Sequence, residues 1–175
     1  GSRNELHGLS PLSRGLIGDG KGIFMDMCLA PRTRWVVFGC GRQVRAVHLD
    51  TLDERLLFEA PENRLVHAGT IDPAESHVLV TTGPAHPQLL AGDRVTKPLG
   101  ACLPPGEMLY EMLRVPLAGG PAEVVRQQQE VGMGHLQYSP VDGDLLLLDL
   151  NEPRKRREEY VSRVWTLRLS TGELT

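Results

Sequence analysis

The side chains in this sequence with the means to do chemistry are few. His135 and Gln137 stand together in Gly134-His-Leu-Gln-Tyr138, a strand-like stretch in which residues two apart share a face. His135 and Gln137 therefore point one way, and Leu136 and Tyr138 the other. A neutral imidazole accepts a proton near neutral pH, so His135 could take part in catalysis, or it could simply hydrogen-bond a neighbouring unit of the fold. Gln137 and Arg114, the latter in Leu113-Arg-Val-Pro-Leu117, are candidate substrate contacts. His48, His67, His77 and His86 lie in unlike contexts and read as satisfied structural groups. Cys28, Cys40 and Cys102 are odd in number and too far apart for a zinc knuckle or a disulfide framework, so they read as reduced, mostly buried thiols. Gly39-Cys-Gly-Arg42 is a strand-turn and not a phosphate loop, because no helix pattern follows it.

These residues must be positioned by short strands. Three apolar runs, Trp35-Val-Val-Phe-Gly39, His77-Val-Leu-Val-Thr-Thr-Gly83 and Leu145-Leu-Leu-Leu-Asp-Leu150, each follow a turn signal: Ala30-Pro-Arg-Thr-Arg34, Asp72-Pro-Ala-Glu-Ser76 and Ser139-Pro-Val-Asp-Gly-Asp144. A strand-like stretch precedes every turn, at Gly22–Cys28, Leu65–Ile71 and His135–Tyr138. A third strand with period-2 alternation follows at Gln43–Leu49, Leu109–Leu117 and Arg163–Leu169. A fourth follows at Glu54–Glu59 and Ala122–Arg126, while the third unit reaches Thr175 where its fourth strand is expected. The repeat predicts four-stranded antiparallel meanders that stack as propeller blades, since one meander cannot bury both of its faces. The fold class is all-β: about three β-propeller blades, near 22–60, 64–127 and 134–175, of a ring that needs about four to eight to close. All of residues 1–175 belong to this partial propeller domain. The Pro- and Gly-rich insertion from Pro84 to Glu107 maps to a loop of the second blade. The edge left unpaired where the third unit lacks its fourth strand predicts self-association or a homo-oligomer.

Composition agrees with this reading. Nineteen Gly and thirteen Pro spread over 175 residues suit many turns better than long helices. A formal net charge of −3 gives no basic footprint for nucleic acid. No run of about 18 apolar residues predicts a membrane span, and a cytoplasmic location is expected.

The string from Gly134 to Pro153 resembles the central blades of the oligogalacturonate lyase family, which have a Gly-His strand start, a Pro-x-Asp turn, an apolar strand and a Glu-Gly-Pro-like end. Leu113-Arg-Val-Pro-Leu-Ala-Gly-Gly120 and Arg45-Ala-Val-His-Leu-Asp-Thr-Leu-Asp-Glu-Arg-Leu-Leu-Phe58 are similar to the family's repeated strand-turn segments. These turn motifs are shared with TolB-like and WD40-like propellers in general. The resemblance implies a seven-bladed ring and β-elimination cleavage of short galacturonate oligosaccharides, with a manganese-type divalent cation and a histidine base in the position of His135. It places the metal ligands in later blades, so the cation belongs to the complete protein and none of its ligands to this chain. It also places a catalytic arginine early in the strand 109–117, where this sequence has Glu111 or Met112. The run Arg154-Lys-Arg-Arg-Glu-Glu159 reads as a solvated hairpin, or as a loop at a channel mouth that attracts an acidic saccharide. The alternative function is a non-catalytic propeller that binds a protein or a small molecule, which the same blades would serve equally well.

Overall fold

A computed structural model describes residues 24–91, 96–97, 99–152 and 164–175. The described strands form three four-stranded antiparallel sheets, each built from consecutive strands. The first blade holds β1 (Phe24–Ala30), β2 (Trp35–Cys40), β3 (Gln43–His48) and β4 (Glu54–Glu59). The second holds β5 (Arg64–Ile71), β6 (His77–Pro84), β7 (Leu109–Pro116) and β8 (Glu123–Gln129). The third holds β9 (Gly132–Tyr138), β10 (Leu145–Asn151), β11 (Val164–Arg168) and β12 (Glu173–Leu174). Among the described residues, helix is confined to one turn, α1 (Pro87–Leu90), and a 3-10 turn at Leu99–Ala101, both inside the insertion of the second blade. None of the described helices is long and apolar enough to cross a membrane.

One expectation is corrected here. The third blade does have a fourth strand, because Gly172 adopts φ 71 and turns the chain back on β11. That left-handed conformation suits glycine, which has no Cβ to clash. Leu174 and Glu173 then pair with Leu167 and Arg168, and Thr175 exchanges two backbone hydrogen bonds with Thr166 at 2.7 and 2.9 Å.

The blades stack through apolar side chains. Ala30, Val37, Val44, Ala46 and Leu57 of the first blade bury against Val66, Val78, Val80, Leu113 and Val115 of the second. Leu79 and Met112, on the opposite side of the second blade, bury against Met133, Leu136, Tyr138, Leu146, Leu148 and Leu167 of the third. Each fully buried aliphatic side chain here contributes roughly 1.5–3 kcal/mol. The first strands of the blades lie next to one another, β5 touching both β1 and β9, so they form the inner row of the arc.

All three inner strands carry a β-bulge, at positions that agree to within about one residue of register. Register slips between Met25 and Met27 opposite Gly39 and Phe38, between Ala68 and Thr70 opposite Val80 and Leu79, and between Gly134 and Gln137 opposite Asp149 and Leu147. A bulge bends the strand and re-aims the side chain that it adds. In the third blade, His135 and Leu136 together face Leu148.

Polar latches tie the turns of neighbouring blades. The Glu75 carboxylate accepts hydrogen bonds from the Arg32 and Thr33 amides, the Thr33 hydroxyl and the Arg32 guanidinium. Its side chain is 6% exposed. Burial opposes ionisation, but those donors outweigh it and hold the carboxyl at about 2. Between the second and third blades, the Tyr138 amide donates to Thr70 Oγ1 at 3.3 Å.

The insertion is anchored by His86, which is buried. Its Nδ1 accepts from the Gln88 amide at 3.2 Å, which leaves Nε2–H to donate to the Lys97 carbonyl at 2.9 Å. The Cys102 thiol lies 3.7 Å from that same Nε2. With Nε2 carrying the proton, His86 is not placed to act as a base toward the thiol. No disulfide joins the three cysteines, of which Cys40 is buried and Cys28 and Cys102 are half-buried.

Candidate functional site

His135 is the fourth residue of β9 and lies mid-strand, not at the strand start that the sequence suggests. Its backbone sits in the left-handed region at φ 48, where a non-glycine residue costs about 1–2 kcal/mol. The bulge explains this conformation, since one added residue must rotate for the ladder to resume. The imidazole is exposed and lines a cleft of about 390 Å³ with Leu147, Leu148, Asp149 and Val164. No hydrogen bond to the imidazole is found among the described residues.

Gln137 is exposed on the same side of β9, with Leu136 and Tyr138 buried on the other. The alternation read from the sequence thus persists past the bulge. Gln137 lines two further clefts. One, of about 290 Å³, runs past Leu145, Leu147 and Thr166. The other, of about 360 Å³, lies where the turns of all three blades meet, between Leu29, Pro31, Thr70, Asp72, Pro73 and Pro140. Leu147 borders both the His135 cleft and the first Gln137 cleft, and it stands directly opposite Gln137 in the ladder. His135 and Gln137 therefore flank one apolar side chain on the open face of the third blade.

Arg114 lies elsewhere. It is in β7, ion-paired to Glu123 across the ladder at 3.2 Å, and its guanidinium faces the hydroxyl of Tyr138. Burial pushes the Tyr138 phenol up, the Arg114 charge pulls it back, and Asp72 adds to the rise. Arg114 thus reaches the junction cleft only through Tyr138, which lines it.

Of Glu111 and Met112, which stand where the resemblance assigns an arginine, the structure gives Glu111 a charged partner. Arg64 Nη2 lies 3.0 Å from Glu111 Oε2, with the two side chains 12% and 20% exposed. Arg64 Nε also donates to Thr82 Oγ1 at 2.9 Å, and Gln127 Nε2 donates to Glu111 Oε1 at 2.6 Å. A polar row thus crosses all four strands of the second blade. Sequence reading misses it, because the members that touch lie at least 16 residues apart in the chain. The cleft residues Leu147 and Leu148 were hidden for another reason: an unbroken Leu145–Leu148 run has no alternation to show which leucines face outward. The basic run Arg154–Glu159 lies outside the described residues.

No family model matches the sequence, and no curated protein matches it. Solved structures do. An oligogalacturonate lyase in complex with manganese superposes with a TM-score of 0.59 at 16% identity, over 85% of this chain and 38% of that one. An oligogalacturonate lyase from Vibrio parahaemolyticus gives 0.61 at 14% identity, over 84% and 38%. TolB from Acinetobacter baumannii gives 0.53 at 12% identity, over 85% and 31%. The chain has a propeller-like fold. At such low identities the likeness speaks for the fold alone, and the chain spans 38% of the length of the lyases that it matches. Among the described residues no three His, Cys, Asp or Glu side chains gather as a metal-binding group. The described part of the propeller therefore does not fit a manganese ion.

Proposed function

We propose that this propeller acts on acidic oligosaccharides of the galacturonate type by β-elimination, with His135 as the base. The observation that carries this reading is the exposed, strained His135 at the bulge, lining a cleft and with no hydrogen bond to its ring among the described residues. In the reaction the imidazole takes the proton α to a uronate carboxylate. The electron pair left behind forms the carbon–carbon double bond, and the glycosidic oxygen at the β-carbon leaves and is protonated. Gln137, opposite Leu147, offers an amide to sugar hydroxyls. Arg114 is a more distant contact that acts at the junction cleft, where Tyr138 meets its charge.

A second reading, a non-catalytic propeller that binds a protein or a small molecule, is favoured by the Arg64–Glu111 pair. A carboxylate held there is the wrong charge for a group meant to meet a uronate.

Incubation with trigalacturonate, with and without added manganese, separates the two. The lyase reading expects an unsaturated uronate, seen by its ultraviolet absorbance and by mass spectrometry of the products. Binding of trigalacturonate without any unsaturated product overturns it and supports the binding propeller.

A further inference from the structure

The inner strands end alike. Leu29, Ile71 and Tyr138 stand at or next to the ends of β1, β5 and β9, and each is followed two residues later by a turn proline, Pro31, Pro73 or Pro140. The fixed φ of proline suits the entry to a turn and leaves the ring at the surface. These three pairs converge on the junction cleft of about 360 Å³. Tyr138 is buried, but Leu29 is 51% exposed and the three prolines are exposed, so the cleft opens between apolar walls.

Its rim is acidic. The cleft lies at the end of the arc where each antiparallel blade turns after its first and third strands. The six turns there, 31–34, 49–53, 72–76, 117–122, 139–144 and 169–172, carry Asp50, Asp53, Asp72, Glu75, Asp142 and Asp144 against Arg32 and Arg34. Six carboxylates and two arginines make −4, whereas the whole chain is −3, so all other residues together are +1. Arg168, at the end of β11, answers Asp142 and Asp144, which still leaves this end as negative as the entire chain. Among the described residues no Lys or Arg lines the cleft, while Asp72 and Glu75 do. Burial opposes the ionisation of both, but donors from His77 and Ser76 hold Asp72 below its ordinary value, and donors from Arg32 and Thr33 do the same for Glu75. Arg114 pairs with Glu123 and does not reverse the sign.

We propose that this end of the arc is a docking surface for a basic peptide segment of a partner protein, with one apolar side chain seated in the junction cleft and flanking lysines or arginines lying over the acidic turns. An apolar anchor fits the walls of Leu29, Ile71 and the prolines. The flanking cations match the charge of the rim, and their aliphatic stems can pack on the proline rings. Gln137, exposed at the cleft, offers an amide to the backbone of the segment. The surface is made by the turns of the three described blades and stands apart from any chemistry at His135.

Fluorescence anisotropy on the whole chain tests it, with a short labelled peptide alternating lysine and leucine. Two counterparts, one alternating lysine and serine and one alternating glutamate and leucine, remove the anchor or reverse the charge. The lysine-leucine peptide is expected to bind at least about tenfold more tightly than either, and to weaken by about tenfold as salt rises from about 0.05 to about 0.5 M. Leu29→Ser, at an exposed position, should weaken it by about tenfold through lost apolar contact. Asp53→Asn combined with Asp142→Asn should flatten the salt dependence. Each Asn keeps an oxygen for the Thr51 hydroxyl or the Asp144 amide, and circular dichroism checks folding. In the wild type, bound peptide should slow hydrogen exchange in the turns 72–76 and 139–144. Absent binding, equal binding of the three peptides, protection only at the opposite end of the arc, or affinity that the folded variants leave unchanged would each overturn the proposal.

Discussion

The Glu75 carboxylate of the second blade closes on Thr33 of the first, taking the amide at 2.7 Å and the hydroxyl at 2.8 Å. This is a polar latch between turns whose inner strands already touch, and its strength depends on Glu75 being ionised.

The folded-state value of about 2 lies below the ordinary 4.5, so folding favours the carboxylate. The latch is at full strength above about pH 4.5 and is lost as pH falls from there through about 2. Denaturant titrations across that window should show stability falling with acid for the wild type and a shallower fall for Glu75→Gln. At pH 7 the variant should cost about 1–3 kcal/mol, because an amide NH2 then faces amide donors. Equal acid slopes for the two proteins would refute the latch.

Gly69 is the added residue of the β5 bulge, and a Cβ there would lie 2.8 Å from Leu136 Cδ1 and 2.9 Å from the Leu79 carbonyl oxygen. The carbonyl belongs to a ladder and cannot easily move. Gly69→Ala should therefore destabilise by about 1–3 kcal/mol, read from the midpoint of urea unfolding. Since Leu136 neighbours His135, the same substitution should also disturb the third blade, seen as raised hydrogen exchange in β9.

His135 occupies a backbone conformation that glycine adopts more readily. His135→Gly should keep stability or raise it by up to about 1 kcal/mol, as relieved strain offsets the greater freedom of the unfolded chain. If the ring is the base, both His135→Gly and His135→Ala should lower product formation by about 10²–10⁴-fold. A variant that unfolds easily while keeping its activity would show the ring to be a structural support.

Removing the carboxylate of Glu111 leaves the Arg64 guanidinium partly buried without its ion pair. Glu111→Ala should cost about 2–3 kcal/mol, and Glu111→Gln less, since Gln127 and Arg64 retain a polar neighbour. Thermal unfolding of both variants beside Arg64→Met gives the comparison. A near-neutral Glu111→Ala would mean that the polar row contributes little to the blade.

Much of the fold was legible because its signals are local. The turns at Pro31, Pro73 and Pro140 and the apolar runs behind them mark the second strand of each blade within a residue or two. The short β12 was not legible, since two residues carry no periodicity and only the turn at Gly172 creates the pairing. His135 and Gln137 were legible as a pair sharing one face, because alternation needs only neighbours in sequence. The bulge at 135–136 was invisible for the converse reason: an added residue is defined by its partner strand, and nothing in Gly-His-Leu-Gln-Tyr reveals it. The Glu75 latch and the Arg64–Glu111 pair join residues far apart in the chain, so they follow from the stacking and could not precede it.

Each sheet is made from four strands that follow one another without interruption, and this sets the order in which the molecule can be assembled. Pairing within a blade needs loops of only a few residues, apart from the insertion that His86 pins down and the 152–163 connection of the third blade, so loop closure elsewhere costs little and most pairing is fast. A nascent chain emerging N-terminus first can finish one meander before the next has been synthesised. The side chains between blades then dock onto surfaces already formed. Folding by this route is a succession of small local steps, with the apolar face of the newest blade left open only until its successor arrives.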